Sequence, residues 1–205
     1  MLPTCIHFEN PVLFPIFGSA IARNLHYYYA MLGLKELTYC PACGRQPFEV
    51  QGERSRRCSH CGFELFENSA AANVAFITNA QDDLLVVRRK NPPAKGTLDL
   101  PGGFCDAGET AEEAVMREVS EETHLKVVSA EYLFSLPNIY RFSGIDIPTL
   151  DLFFRCRVDD FDAISADDDA EDCFFLPLRQ VDPEQFGLAS IRKGVERFLQ
   201  EHYNT

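Results

Sequence analysis

The sequence predicts an α/β domain preceded by a small metal-bound ribbon, on three observations. Four of the eight cysteines form two C-x-x-C pairs, Cys40/Cys43 and Cys58/Cys61, with 14 residues between the pairs. Apolar runs at Ala71 to Thr78 and Leu84 to Arg88, split by a polar turn from Asn79 to Asp83, have the length and the bounds of strands. Two later segments carry helix signatures. One opens on a capping pattern after a glycine-rich turn, and the other has a 3.6-residue apolar period from Leu188 to His202.

The 205 residues are 46% hydrophobic and 24% charged, an ordinary globular composition that excludes a disordered chain, a collagen and a coiled coil. No run of 18 apolar residues occurs, which excludes a membrane-spanning helix and a membrane partner of that kind. The net charge of −12 repels phosphate backbones and disfavours general nucleic-acid binding. A small anionic substrate then needs a local device such as a metal ion. Residues 1–37 and 38–67 each balance in charge, so 68–205 carry the whole excess. Much of it lies in the acidic run from Asp159 to Asp172, read as a solvated loop.

These boundaries divide the chain. Residues 1–37 form an appendage with no assigned role. Its apolar stretch from Val12 to Ala22 is interrupted by Pro15 and preceded by Glu9 rather than by Lys or Arg, so a secretory leader is disfavoured. Met31 is a candidate initiator, and a chain beginning there is expected to fold, keep its metal and retain its activity. Residues 38–67 form the ribbon. Tight turns at Cys40-Pro41-Ala42-Cys43-Gly44 and Cys58-Ser59-His60-Cys61-Gly62 bring four sulfurs to one ion, with two short strands between Pro47 and Arg57 turning at Gly52. Four thiolates close a tetrahedral site, so the zinc is structural and supplies folding energy; His60 is left over. Thiolates kept for a metal fit a reducing, cytoplasmic compartment. Cys5, Cys105, Cys156 and Cys173 read as small buried or half-buried thiols.

Residues 68–205 hold the chemistry. Asp99-Leu100-Pro101-Gly102-Gly103-Phe104 is a short strand leading into a glycine-rich turn. Thr110 with Glu113 makes a capping box, and the helix it starts runs to about Thr123. Glu118, Glu121 and Glu122 fall at i, i+3 and i+4 and share one helix face without an interspersed lysine. Their repulsion is relieved by a cation that prefers hard oxygen ligands, Mg²⁺ or Mn²⁺.

From Gly103 the sequence continues through five residues to Glu109, then seven more to Arg117-Glu118-Val119-Ser120-Glu121-Glu122-Thr123-His124-Leu125. This resembles the Nudix box, G-x5-E-x7-R-E-U-x-E-E-x-G-U, with His124 in place of the family glycine. That glycine sits just past the helix end, where a left-handed histidine costs on the order of 1 kcal/mol. The resemblance covers roughly residues 70–200. It implies a Nudix α/β/α sandwich with a mixed sheet between helices. It further implies that Glu118 and Glu122 hold Mg²⁺, with Glu121 in or beside the same cluster, that Gly102 offers its carbonyl to the metal, and that Arg117 and Glu109 are a structural pair. The implied activity is Mg²⁺-dependent hydrolysis of the diphosphate bond in a nucleoside diphosphate derivative, with water attacking phosphorus.

A zinc ribbon directly before such a domain resembles the bacterial NADH pyrophosphatases, which implies a small nucleotide substrate (ADP-ribose or NAD(H)-like) and a homodimer. That branch carries S-Q-P-W-P-F-P-x-S after its box. This chain has Ser135-Leu136-Pro137-Asn138-Ile139-Tyr140 there and contains no tryptophan. Glu171-Asp172-Cys173-Phe174-Phe175 resembles the family's E-A-x-W-F run and implies that Glu171 is a late metal ligand or base. Phe134, Tyr140 and Phe142 are either core or a platform for a base. Strand alternation sends Arg88 and Arg89 to opposite faces, so at most one reaches substrate. A second reading is a nucleotide-sensing Nudix-fold binding module whose ribbon contacts a partner or DNA. The complete glutamate set favours the enzyme.

Overall fold

The computed structural model describes residues 34, 37–51, 54–165 and 170–203. The expectations for residues 1–30, for Met31 as initiator and for the turn at Gly52 lie outside them. The ribbon is a three-stranded antiparallel sheet, β1 (Phe48–Gln51), β2 (Ser55–Cys58) and β3 (Glu64–Phe66), one strand more than the cysteine spacing suggested.

Beyond it follow β4 (Ala70–Phe76), β5 (Asp83–Arg89), β6 (Leu98–Asp99), α1 (Ala111–Thr123), β7 (Val127–Phe142), β8 (Ile145–Val158), β9 (Ala170–Pro177) and α2 (Ala189–Tyr203). One sheet is ordered β4-β8-β7 and is mixed, with β4 parallel and β7 antiparallel to β8. The other, β6-β5-β9, is antiparallel.

The two-residue strand period builds two separate cores. Val74 and Phe76 of β4, Leu84 and Val86 of β5, and Phe153 of β8 pack with Ile191, Val195 and Phe198 of α2. The alternate residues Ala75, Ile77, Leu85, Phe154 and Cys156 pack with Val115 and Val119 of α1. One helix therefore covers each face, which is the expected α/β/α sandwich. On the α2 side Phe76 stacks on Phe198 with ring centroids 4.1 Å apart. Gly194 admits Phe153 there, because a Cβ would lie 2.3 Å from its ring.

The long β7–β8 hairpin, reversing at Ser143-Gly144, is the main element the sequence reading left unassigned. Pro137 and Pro148 interrupt its two runs and argue against central strands. Both are tolerated for a positional reason: β7 is the edge of its sheet, and β4 covers β8 only from Thr149 onward.

Strand β4 has β8 on one edge and the glycine-rich turn on the other. Asn73 N donates to Gly103 O (2.7 Å), Ala75 N to Pro101 O (2.8 Å) and Cys105 N to Ala71 O (3.1 Å). The turn is thereby registered on the sheet directly ahead of α1. Helix α1 starts as expected: Glu113 N donates to Thr110 Oγ1 (3.2 Å) and Thr110 N to Glu113 Oε2 (2.9 Å). It ends at His124, which is left-handed with φ 59° and ψ 11° and donates its amide to Ser120 O.

Candidate functional site

Gly102 and Gly103 bring the turn against both β4 and α1. Gly102 has φ +151°, and a Cβ there would lie 2.0 Å from Asn73 O. At Gly103 a Cβ would lie 2.6 Å from the Glu118 carboxyl carbon, so the missing side chain makes the space that the carboxylate occupies. Gly102 N donates to Glu122 Oε2 at 3.0 Å. Two glutamates one helical turn apart are thus seated against two successive glycines of the turn. Glu121 is 52% exposed at the rim.

Arg117 ties the parts together. Its Nε and Nη2 donate to the two carboxylate oxygens of Glu109 (2.8 and 3.0 Å), and Nη2 also reaches Phe104 O (3.1 Å). Its Nη1 donates to both Glu118 Oε1 and Glu121 Oε2 at 2.9 Å. The bidentate pair with Glu109 uses the planar fork of the guanidinium, which a lysine lacks. Glu109 in turn accepts from Asp106 N (2.9 Å), closing the turn. The repulsion expected among Glu118, Glu121 and Glu122 is therefore partly met by Arg117, one residue outside the acidic stripe.

The electrostatics follow. Arg117, and then the Asp106 amide, hold the Glu109 carboxyl below its usual range. Burial pushes Glu118 up, against the opposing pull of Arg117. A half-buried carboxylate whose charge is disfavoured by burial, with a second carboxylate beside it, fits a hard divalent cation.

Glu171 lies on β9 at a bulge, between Ala170 opposite Arg89 and Asp172 opposite Arg88. Its side chain is outside the described residues. Its strand runs close to the acidic end of α1, since Cys173 is raised by burial, Asp172 and Glu122. Arg88 and Arg89 diverge as alternation requires. Arg88 lies over the Phe174 ring at 5.7 Å, whereas Arg89 turns to buried Asp99 (2.5 Å), Pro93 O (2.8 Å) and Tyr140 Oη (3.4 Å). Of the three aromatics, Phe134 is core, Phe142 is 48% exposed, and Tyr140 meets Phe104 of the turn edge-on at 5.6 Å.

Several buried polar residues near this turn were not singled out from the sequence. Asp151 accepts from Ser190 Oγ (2.5 Å), Thr149 Oγ1 (2.6 Å) and Asn138 Nδ2 (3.1 Å). Asn73 is also buried. Thr149 is a local partner of Asp151, but Ser190 and, for Asn73, Cys105 lie 39 and 32 positions away, and no local spacing announces those bonds.

In the ribbon, the ligand atoms of Cys40, Cys43, Cys58 and Cys61 all lie within 4.8 Å of one another. Cys40 Sγ is 3.6 Å from Cys61 Sγ, and Cys43 Sγ is 3.6 Å from Cys58 Sγ. These separations are far beyond a disulfide and close to the edge of about 3.8 Å that four bonds of about 2.3 Å in a tetrahedron require. Burial pushes the Cys40 thiol up to about 12, while donation from the Cys61 amide brings Cys58 down to about 6. The cluster could hold a metal ion. His60 has no place in it.

Residues 68–198 are matched by the family model described as NUDIX domain. An NAD-capped RNA hydrolase NudC of Pseudomonas syringae pv. tomato is 26% identical over 167 residues, covering 82% of this chain and 57% of the relative. An ADP-ribose pyrophosphatase of Methanocaldococcus jannaschii is 45% identical over 78 residues, covering 37% of this chain and 46% of the relative. The chain thus spans about half the length of these curated relatives. Among solved structures, a NUDIX hydrolase from Nitrosomonas europaea aligns with a TM-score of 0.64 at 18% identity, covering 82% of this chain and 93% of that one. The two-core sandwich, the turn pinned to β4 and the match across the same residues agree: the chain belongs to the NUDIX domain family.

Proposed function

We propose that the protein is a Mg²⁺-dependent pyrophosphohydrolase that cleaves the diphosphate bond of a small nucleoside diphosphate derivative, ADP-ribose or an NAD(H)-like dinucleotide. The observation that carries this reading is the seating of Glu118 in the space left by Gly103, with Glu122 on the adjacent Gly102 amide. The names of the Pseudomonas and Methanocaldococcus relatives support the substrate class.

In this reading Glu118 and Glu122 hold the divalent cation, Mg²⁺ or Mn²⁺, with Glu121 beside them and the Gly102 carbonyl as a further oxygen. When bound, the cation neutralises the diphosphate and acidifies a water. The chain's own residues do the rest. Arg117 fixes Glu118 and Glu121 to the turn, Glu109 holds Arg117, and a glutamate, Glu118 or Glu171, takes the proton from the attacking water. No covalent nucleophile is required. The four cysteines hold a structural zinc, residues 38–67 and 68–205 act as ribbon and catalytic domain, and the thiolate cluster fits a reducing compartment.

The test is a panel of ADP-ribose, NADH and NAD⁺ with Mg²⁺, read by released AMP. At least one should turn over. Glu118→Gln and Glu122→Gln should each lower turnover by at least about 100-fold while circular dichroism is unchanged. Absence of AMP from every substrate, or near-normal turnover in both variants, overturns the proposal. Tight nucleotide binding without turnover would instead support a sensor.

A further inference from the structure

Among the described residues, one buried side-chain polar atom lacks a hydrogen-bond partner: Asn73 Oδ1, on a residue only 1% exposed. A buried carbonyl left unmet is costly, so its position is informative.

That position is fixed by the strand pairing. The bridge between Ala72 and Phe104 sets Asn73 opposite Gly103 and Ala71 opposite Cys105. Residues opposite one another, and residues two apart along a strand, share a face. Asn73, Gly103 and Cys105 therefore lie on one side of the sheet, the side on which Ala75 and Ile77 meet α1. Glu118 fills the space that a Gly103 side chain would take on that side. The Asn73 side chain and the Glu118 carboxylate thus both lie on this side of Gly103. Asn73 Nδ2 donates to Cys105 Sγ at 3.0 Å, which fixes the amide plane, and the Cys105 thiol is raised chiefly by burial, with Glu109 and Glu118 adding to it. The remaining oxygen has no donor among the described residues.

We propose that Asn73 is a positioning residue of the cation site: its Oδ1 accepts a hydrogen bond from a water that a hydrated divalent cation carries in beside Glu118. Mg²⁺ surrenders its waters reluctantly and is usually held by one or two carboxylates with several waters retained, so such a site needs acceptors for water as well as ligands for the ion. A neutral amide supplies one without adding a fourth negative charge next to Glu118, Glu121 and Glu122. The inference rests on the cation-site reading above and adds a residue outside the family box, contributed by β4.

The test uses Mn²⁺ as the probe, with binding followed by electron paramagnetic resonance and the hydration of bound Mn²⁺ by water-proton relaxation. Asn73→Leu, close in size and without an acceptor, should weaken Mn²⁺ binding by about tenfold and lower kcat by about 10–100-fold with little change in KM. Its relaxivity should also change. Asn73→Asp keeps an acceptor and should restore Mn²⁺ binding. Cys105→Ala removes the thiol partner and should leave Mn²⁺ affinity within about twofold. Wild-type affinity and relaxivity in a folded Asn73→Leu protein would overturn the inference. So would a Cys105→Ala protein that reproduces the Asn73→Leu loss, because the amide would then serve only the thiol. Glu118→Gln separates the two layers: if it too leaves Mn²⁺ binding intact, the cation-site reading fails; if it abolishes binding while Asn73→Leu does not, only the role of Asn73 fails.

Discussion

His124 shows how a single residue can depart from a family pattern at small cost. It caps α1 with φ 59°, a left-handed conformation that glycine adopts freely and a Cβ resists. Its amide still reaches Ser120 O, so the helix end stays hydrogen-bonded and only conformational strain is added. His124→Gly should raise stability by up to about 1 kcal/mol, read as a higher urea midpoint with unchanged slope. Glycine at positions 102 and 103 has a different purpose. There the missing side chain is space, filled by Asn73 O in one case and by the Glu118 carboxylate in the other.

At the scale of elements, the turn and α1 are joined through Arg117 and Glu109. The folded Glu109 carboxyl lies below its ordinary range, chiefly because Arg117 donates to it. A depressed carboxyl stabilises the fold fully above the ordinary carboxylate pKa and loses that contribution as pH falls through the folded value. The urea midpoint of the wild type should therefore fall as pH drops from about 5 toward 3, and Glu109→Gln should flatten that part of the profile. Arg117→Lys keeps the charge but not the fork, and should cost about 1–3 kcal/mol in the same measurement.

The same two elements show what was legible in the sequence. Thr110, Glu113 and the glutamate stripe could be read because capping and shared-face rules act within four residues. The turn's pairing with β4 could not, since its bonds join residues about 30 positions apart. For the same reason Asn73, Asp151 and Ser190 gave no signal. Their bonds to Cys105 and between Ser190 and Asp151 span 32 and 39 positions. The hairpin of β7 and β8 stayed hidden because its prolines break the strand rule at places where the sheet happens to tolerate them. Glu171 was found only through resemblance.

For the whole molecule, the ribbon and the sandwich obtain their stability differently. The sandwich has two cores. Among the described residues the ribbon's buried cluster is Cys40, Phe48 and Cys58, with Leu37 and Leu65 half-buried against it, too little to fold on hydrophobic burial alone. One tightly held zinc per chain should therefore survive mild chelation that strips Mg²⁺, and Cys40→Ser or Cys58→Ser should each lower zinc content in elemental analysis. Unchanged zinc in both would remove the ribbon's ion from these four thiols.

The seam between β4 and the glycine-rich turn carries a consequence in the time domain. A turn that hangs free opens in nanoseconds to microseconds, and turnover then waits on its closing. Here the amides of Asn73, Ala75 and Cys105 are spent on that seam, so parting it means breaking a sheet edge rather than swinging a flap. Exchange of these three amides with deuterium should be as slow as that of Phe153 and Phe154 in the centre of β8, with or without Mg²⁺. The geometry of the turn would then be set before any ligand arrives.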